Sequence, residues 1–142
     1  ARKEGVVVIK VVLDSNVYIS GILFHGKPRD LLDRAVRGSI AVYISPAILE
    51  EVKDVLGRAK FGFPPARIAA IAGEIESIAI QVVPERKYSV VPRDSDDTIV
   101  IDCAMESKAD FIVTGDNDLL SMGHYEGIQI VSPADFLSMQ NE

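Results

Sequence analysis

The sequence predicts an α/β layer fold on a mainly parallel sheet. Strand-length runs of β-branched apolar residues alternate with segments of helical period, and no internal repeat or low-complexity linker breaks the alternation. The strand runs are 6–13 (VVVIKVVL), 40–44 (IAVYI), 78–83 (IAIQVV), 111–114 (FIVT) and 128–131 (IQIV). Helical-period segments at 28–37, 46–57, 65–77 and 96–108 lie between most of them, with short pieces near 117–122 and 133–139. The whole chain, 1–142, reads as one domain.

Residues 1–7 are expected to be a frayed lead-in. Charges precede an apolar run that continues into the first strand, and no small-residue cleavage site follows, so a signal peptide is not expected. The first strand stops at Leu13, where Asp14, Ser15 and Asn16 stand at the hand-over to a helix. In SPAILEEVKDVLG, Ser45 is the expected N-cap, Pro46 the first helical residue and Gly57 the stop. The stretch 84–95, PERKYSVVPRDS, has the composition of a surface loop. Ser95 or Asp96 then caps the next helix, whose first-turn acids suit the positive end of its dipole. After the strand ending at Thr114, Gly115 permits a sharp turn and Asp116 follows at once.

Composition narrows the chemistry. With 142 residues, 48% hydrophobic and 25% charged, the chain can bury a core without disulfides or a structural metal. No apolar run approaches the ~20 residues of a membrane span. Cys103 is the only cysteine and His25 and His124 the only histidines, which excludes an internal disulfide and disfavours Cys/His metal sites. Between Ile101 and Ala104, Cys103 is expected to be a buried, inert thiol. There is no GxxxxGK loop and no GxSxG elbow. A net charge of −6 argues against a basic coat for duplex binding, but acids that hold cations count as negative in that sum.

Carboxylates remain, and a few stand where an element should not have left them. In the 46–57 helix, Glu50 and Asp54 point away from the stripe of Ile48, Leu49, Val52, Val55 and Leu56, whereas Glu51 sits at its border. In the 96–108 helix, Asp97 shares a face with Val100, Ile101 and Ala104, while Asp102 lies nearly opposite and reads as solvent surface. Asp14 and Asp116 follow strand ends, where ligands collect in open α/β sheets. Each has a plainer reading: Asp14 with Asn16, or Asp116 with Asp118, makes a helix N-cap or Asx-turn, and Asp97 is a first-turn acid. Together they make a stronger case than singly. Two carboxylates ~4 Å apart repel by roughly 4 kcal/mol at an effective dielectric of about 20. A converging set therefore calls for protonation or a cation, and oxygen-only ligands suit Mg²⁺ or Mn²⁺.

These same stretches, VVLDSNVYIS, SPAILEEVKDVLGRAKF and DSDDTIVIDCAMESKADFIVTGDNDLL, resemble the PIN domain over nearly the whole chain. More narrowly they resemble prokaryotic PIN toxin components of toxin–antitoxin systems. The resemblance implies a three-layer α/β/α fold with a central, mainly parallel, five-stranded sheet and a metal-dependent ribonuclease site. It implies catalytic and metal-binding roles for Asp14, Glu51, Asp97 and Asp116, with Ser15, Asn16, Thr114 and Asp118 in support. It also implies Mg²⁺ or Mn²⁺ as cofactor, single-stranded RNA as substrate, an antitoxin partner, a homodimer and a cytoplasmic location. Relatives often carry proline where Ser95 stands, and an amide or acid where Thr98 stands. Clustered basic residues, Lys27 and Arg29, and Arg58 and Lys60, are candidates for phosphate contact or plain surface charge.

Two other readings stand beside the ribonuclease. A non-catalytic PIN-like module would keep the fold and bind RNA or protein. A phosphatase with Asp14 as nucleophile would need a second acid two residues on, where Asn16 stands.

Overall fold

The computed structural model describes residues 2–3, 6–85 and 95–140, with side chains over 8–85 and 98–140. The expected first strand is divided. β1 (Arg2–Lys3) and β2 (Val6–Val7) form a separate antiparallel pair, and only β3 (Lys10–Leu13) enters the main sheet. Then follow α1 (Ser15–Leu23), α2 (Lys27–Arg37), β4 (Ala41–Ile44), α3 (Pro46–Leu56), α4 (Pro65–Ile78) and β5 (Ala79–Gln81). The chain continues with α5 (Ser95–Ser107), β6 (Phe111–Val113), α6 (Asn117–Met122), β7 (His124–Tyr125), β8 (Ile128–Val131) and α7 (Pro133–Gln140).

The main sheet has the order β5-β4-β3-β6-β8-β7. All neighbours are parallel except β7 and β8, which run antiparallel. The five expected strands are therefore present, and β7 is a sixth. It arises because Glu126 and Gly127, at φ 49° and 85°, make the tight two-residue turn that folds His124–Tyr125 back on Ile128–Gln129.

Side chains alternate faces along a strand, yet Val11, Val12 and Leu13 are all fully buried, and the four residues of β4 are buried or nearly so. Helices therefore cover the sheet on both sides, the three-layer arrangement. α5 packs on β3, β4 and β6, while α1 packs on α2 and α3. Ser45 caps α3 as expected, accepting from the Ile48 N–H.

α1 was not among the periodic segments because SNVYISGIL buries Val17, Tyr18, Ile19 and Gly21 on more than one side. Gly21 has a specific reason to be glycine. A Cβ there would fall 2.6 Å from Leu32 Cδ1 and 3.2 Å from the Pro28 carbonyl oxygen, so a larger residue would require Leu32 to move where α1 meets α2.

The topology positions a crevice. From β3 the chain moves outward through β4 to β5, then returns to the other side of β3 with β6 and β8. The order reverses between β3 and β6, and ligands of open α/β sheets bind beyond the carboxyl ends at such a reversal. Leu13 and Val113, the last residues of these strands, are direct partners. α3 starts immediately beyond the carboxyl end of β4, and α5 runs toward the start of β6, so the first turns of both lie toward the same rim.

Candidate acidic site at the strand-order reversal

Asp14 leaves β3 with its N–H on the Val113 carbonyl, at 3.0 Å, so the adjacent strand ends stay paired one residue beyond the ladder. It is the N-cap of α1 and only 6% exposed. Its Oδ1 accepts from the Ser15 N–H at 2.7 Å, and the Ser15 hydroxyl stands 3.5 Å away. Its Oδ2 accepts from the Thr114 hydroxyl at 2.7 Å and from Asn16 Nδ2 at 3.1 Å. Oδ1 thus serves the start of the helix, and Oδ2 faces β6.

The loop after β6 is tied to the same carboxylate. Thr114 Oγ1 accepts from the Asp116 N–H at 3.0 Å, and Asn16 Oδ1 accepts from the Gly115 N–H at 3.1 Å. Asp116 caps α6, its carboxylate accepting from the Asp118 N–H at 2.7 Å. Asp118 itself is exposed. Gly115 makes the turn without a positive φ, so the sharp turn draws on this bonding and not on glycine's freedom.

Burial raises the pKa of Asp14 above its ordinary value; hydrogen bonds from Thr114 and Ser15 oppose the rise, and the charge of Asp116 adds to it. Asp14 and Asp116 are thus close enough to repel. A divalent cation would offset both the burial and the repulsion, and the oxygen donors suit Mg²⁺ or Mn²⁺. Among the described residues no three His, Cys, Asp or Glu side chains are grouped as a metal site. The side chain of Asp97, the third acid named from sequence, lies outside the described residues; its backbone is in the first turn of α5. Glu51 is half-buried on α3, which packs against both α1 and α5, with its Oε1 shielded from water.

The basic candidates stand away from this rim. Arg29 closes the far end of α1, donating Nε to the Gly21 carbonyl and Nη2 to that of Ile22, each at 2.8 Å. Lys27 begins α2 beside it, separated from Asp14 by the nine residues of α1, about 13 Å of helix. Arg58 and Lys60 follow the end of α3, with the Lys60 ammonium over the Phe61 ring at 5.1 Å.

Asp102 differs from the sequence expectation. It is buried, because α5 is enclosed on several sides: Val100, Ile101, Cys103, Ala104 and Ser107 are buried too. A helix covered on several sides has no single wet face for a wheel to find. Asp102 lines a hollow of about 450 Å³ with Ser45, Val83 and Ile99. Nothing in the sequence signals this, since Asp102 stands opposite the apolar face of its helix.

Oxygen groups gathered at the reversal point of a parallel sheet define a class of α/β proteins whose site lies beyond the strand ends. Residues 10–118 match the PIN domain, and the chain belongs to that family. It is similar to the uncharacterized protein MJ1680 of Methanocaldococcus jannaschii, 36% identical over 124 residues, covering 80% of this chain and 75% of that protein. Among solved structures it is similar to a chain of VapBC2 from Rickettsia felis bound to a DNA fragment from their promoter. There the TM-score is 0.63 at 13% identity, over 87% of this chain and 98% of that one. DNA-bound VapBC from Salmonella typhimurium gives 0.59 at 17% identity, over 89% and 99%. At these identities the two complexes share the fold.

Proposed function

We propose that this PIN domain is a metal-dependent endoribonuclease that hydrolyses phosphodiester bonds of single-stranded RNA, as the toxin of a toxin–antitoxin pair. The observation that carries the reading is the 2.7 Å bond from the Thr114 hydroxyl to Asp14, between residues 100 apart in sequence. It joins two strand ends that each supply an acid, in the crevice where such sheets bind ligands. Membership of the PIN domain family supports nuclease chemistry. The fold shared with chains of VapBC complexes supports an antitoxin partner. A homodimer and a cytoplasmic location belong to the same reading. Among the described residues, no helix is long and apolar enough to cross a membrane.

In this reading Asp14, Asp97 and Asp116 hold Mg²⁺ or Mn²⁺, and Glu51 holds a second ion or orients the attacking water. When bound, the cation would supply Lewis-acid charge for activating water and offsetting negative charge on the phosphate. Donors from Ser15, Asn16 and Thr114 keep the Asp14 carboxylate oriented despite its burial. Water, and not Ser15, is the nucleophile, since His25 lies beyond the far end of α1 and cannot serve Ser15 as a base. Lys27, Arg58 and Lys60 would meet phosphates further along the strand, with Arg29 holding the turn beside Lys27.

The test is cleavage of varied single-stranded RNAs by the purified chain with Mn²⁺ and with a chelator. Cleavage should require the metal, and Asp14→Asn should abolish it. Inertness with Mn²⁺ toward every RNA would favour a non-catalytic binding module, and normal cleavage by Asp14→Asn would remove Asp14 from the site.

A further inference from the structure

We propose that the hollow lined by Asp102 is a base pocket that takes a guanine of single-stranded RNA, the Asp102 carboxylate accepting from its N1–H and 2-amino group. This rests on the ribonuclease reading above and deepens it by naming the base.

Ser45 follows the last residue of β4, and Val83 stands just beyond the end of β5. The Val82 N–H still donates to the Ile44 carbonyl at 2.9 Å, so these two strand ends stay side by side past the ladder. The hollow therefore lies beyond the carboxyl ends of β4 and β5, and β4 is the direct neighbour of β3. It also shares two helices with the acids named above. α3 starts there with Pro46 and carries Glu51, and α5 carries Asp97 about 7.5 Å of helix from Asp102. A single strand with a phosphate at those acids can thus turn a nearby base into the hollow.

The lining suits a base. A volume of about 450 Å³ is that of a small-ligand site. Pro46, Val83, Pro84 and Ile99 give it apolar walls, and Val83 is 69% exposed, an apolar side chain open to a flat ring. Ser45 is committed to capping α3, where it accepts from the Ile48 N–H. The ionisable lining groups are Asp102 and Glu85, and none of the described lining residues is basic, so the hollow repels phosphate. Asp102 is buried, and a carboxylate only accepts, so a guest must bring donors. Guanine brings two side by side, N1–H and the 2-amino group, which match the two carboxylate oxygens. Uracil sets its one N–H between two carbonyl oxygens that a carboxylate repels, and adenine and cytosine place one amino group beside an acceptor nitrogen.

The experiment is fluorescence anisotropy of the full chain with labelled short uridine oligomers, in a chelator so that no metal-dependent cleavage occurs. Each oligomer carries one central guanosine, or inosine, which lacks only the 2-amino group. The parent should bind the guanosine RNA about tenfold more tightly than the inosine RNA. Asp102→Asn, with folding checked by circular dichroism, should bring that ratio below about twofold. Val83→Arg, at an exposed position, fills the hollow from its open side and should do the same, which carries the test should Asp102→Asn fail to fold. Equal binding of the two RNAs by the parent, or an unchanged ratio in the folded variants, overturns the proposal and leaves the ribonuclease reading intact. Equal binding with displacement of the RNA by arginine amide assigns the hollow to a basic side chain of a protein partner instead. A parent that binds neither RNA also overturns the proposal, and if it cleaves no RNA with Mn²⁺ the ribonuclease reading falls with it.

Discussion

Thr114→Val is a stability experiment whose magnitude follows from the geometry, without any metal. Thr114 is fully buried, and valine replaces it with nearly the same shape. The hydroxyl makes two bonds, to the Asp14 carboxylate at 2.7 Å and from the Asp116 N–H at 3.0 Å. A hydrogen bond to a charged group contributes about 1.5–3 kcal/mol and a neutral one about 0.5–1.5 kcal/mol. The variant should therefore lose about 2–4.5 kcal/mol at neutral pH. At about 3 °C per kcal/mol for a domain of this size, Tm should fall by about 6–13 °C. Urea unfolding without divalent cations measures the loss, and Thr114→Ser should recover most of it. In an Asp14→Asn background the loss should shrink, because the charge-assisted part is gone. A loss below about 0.5 kcal/mol in the parent background would refute the claim that this hydroxyl ties the two strand ends.

Further predictions concern groups that burial has perturbed. The folded-state pKa of Asp14 is raised above 3.8, so the folded chain holds this proton more tightly than the unfolded chain does. Its ionisation therefore lowers stability as pH rises from about 3.8 through the raised folded value, and Asp14→Asn should gain on the parent across that window in urea titrations. A gain that grows toward low pH would contradict the assignment. Tyr18 is fully buried, and its hydroxyl has no hydrogen-bond partner among the described residues. Tyr18→Phe should thus be neutral or stabilise by up to about 1 kcal/mol, and a loss beyond that would reveal a bond. Burial pushes the Cys103 thiol up to about 12, so the native chain should resist a disulfide reagent at pH 8 and react only when unfolded. Fast labelling of the native chain would show that the thiol is open to solvent.

Local chemistry was legible in the residues themselves. The alternation of strand and helical periods predicted the five parallel strands, because period follows from which faces are buried. Ser45 and Pro46 marked the start of α3, since capping involves residues a turn apart. Patterns failed where burial is not one-sided. α1 and the region of Asp102 on α5 are enclosed from several directions, so the side a wheel marks as wet need not face water. β7 was missed because two residues per strand carry no period, and only the positive φ of Glu126 and Gly127 brings them back onto β8.

Sequence by itself placed Asp14 and Asp116 just past strand ends and offered helix capping as the plainer role of each, a role the structure shows, since both depend on near neighbours in the chain. Only the tertiary structure decided that β3 and β6 are adjacent, and hence that Thr114 reaches Asp14 across 100 residues. Strand order is set by how all the layers close over the sheet together, and no single segment contains that information.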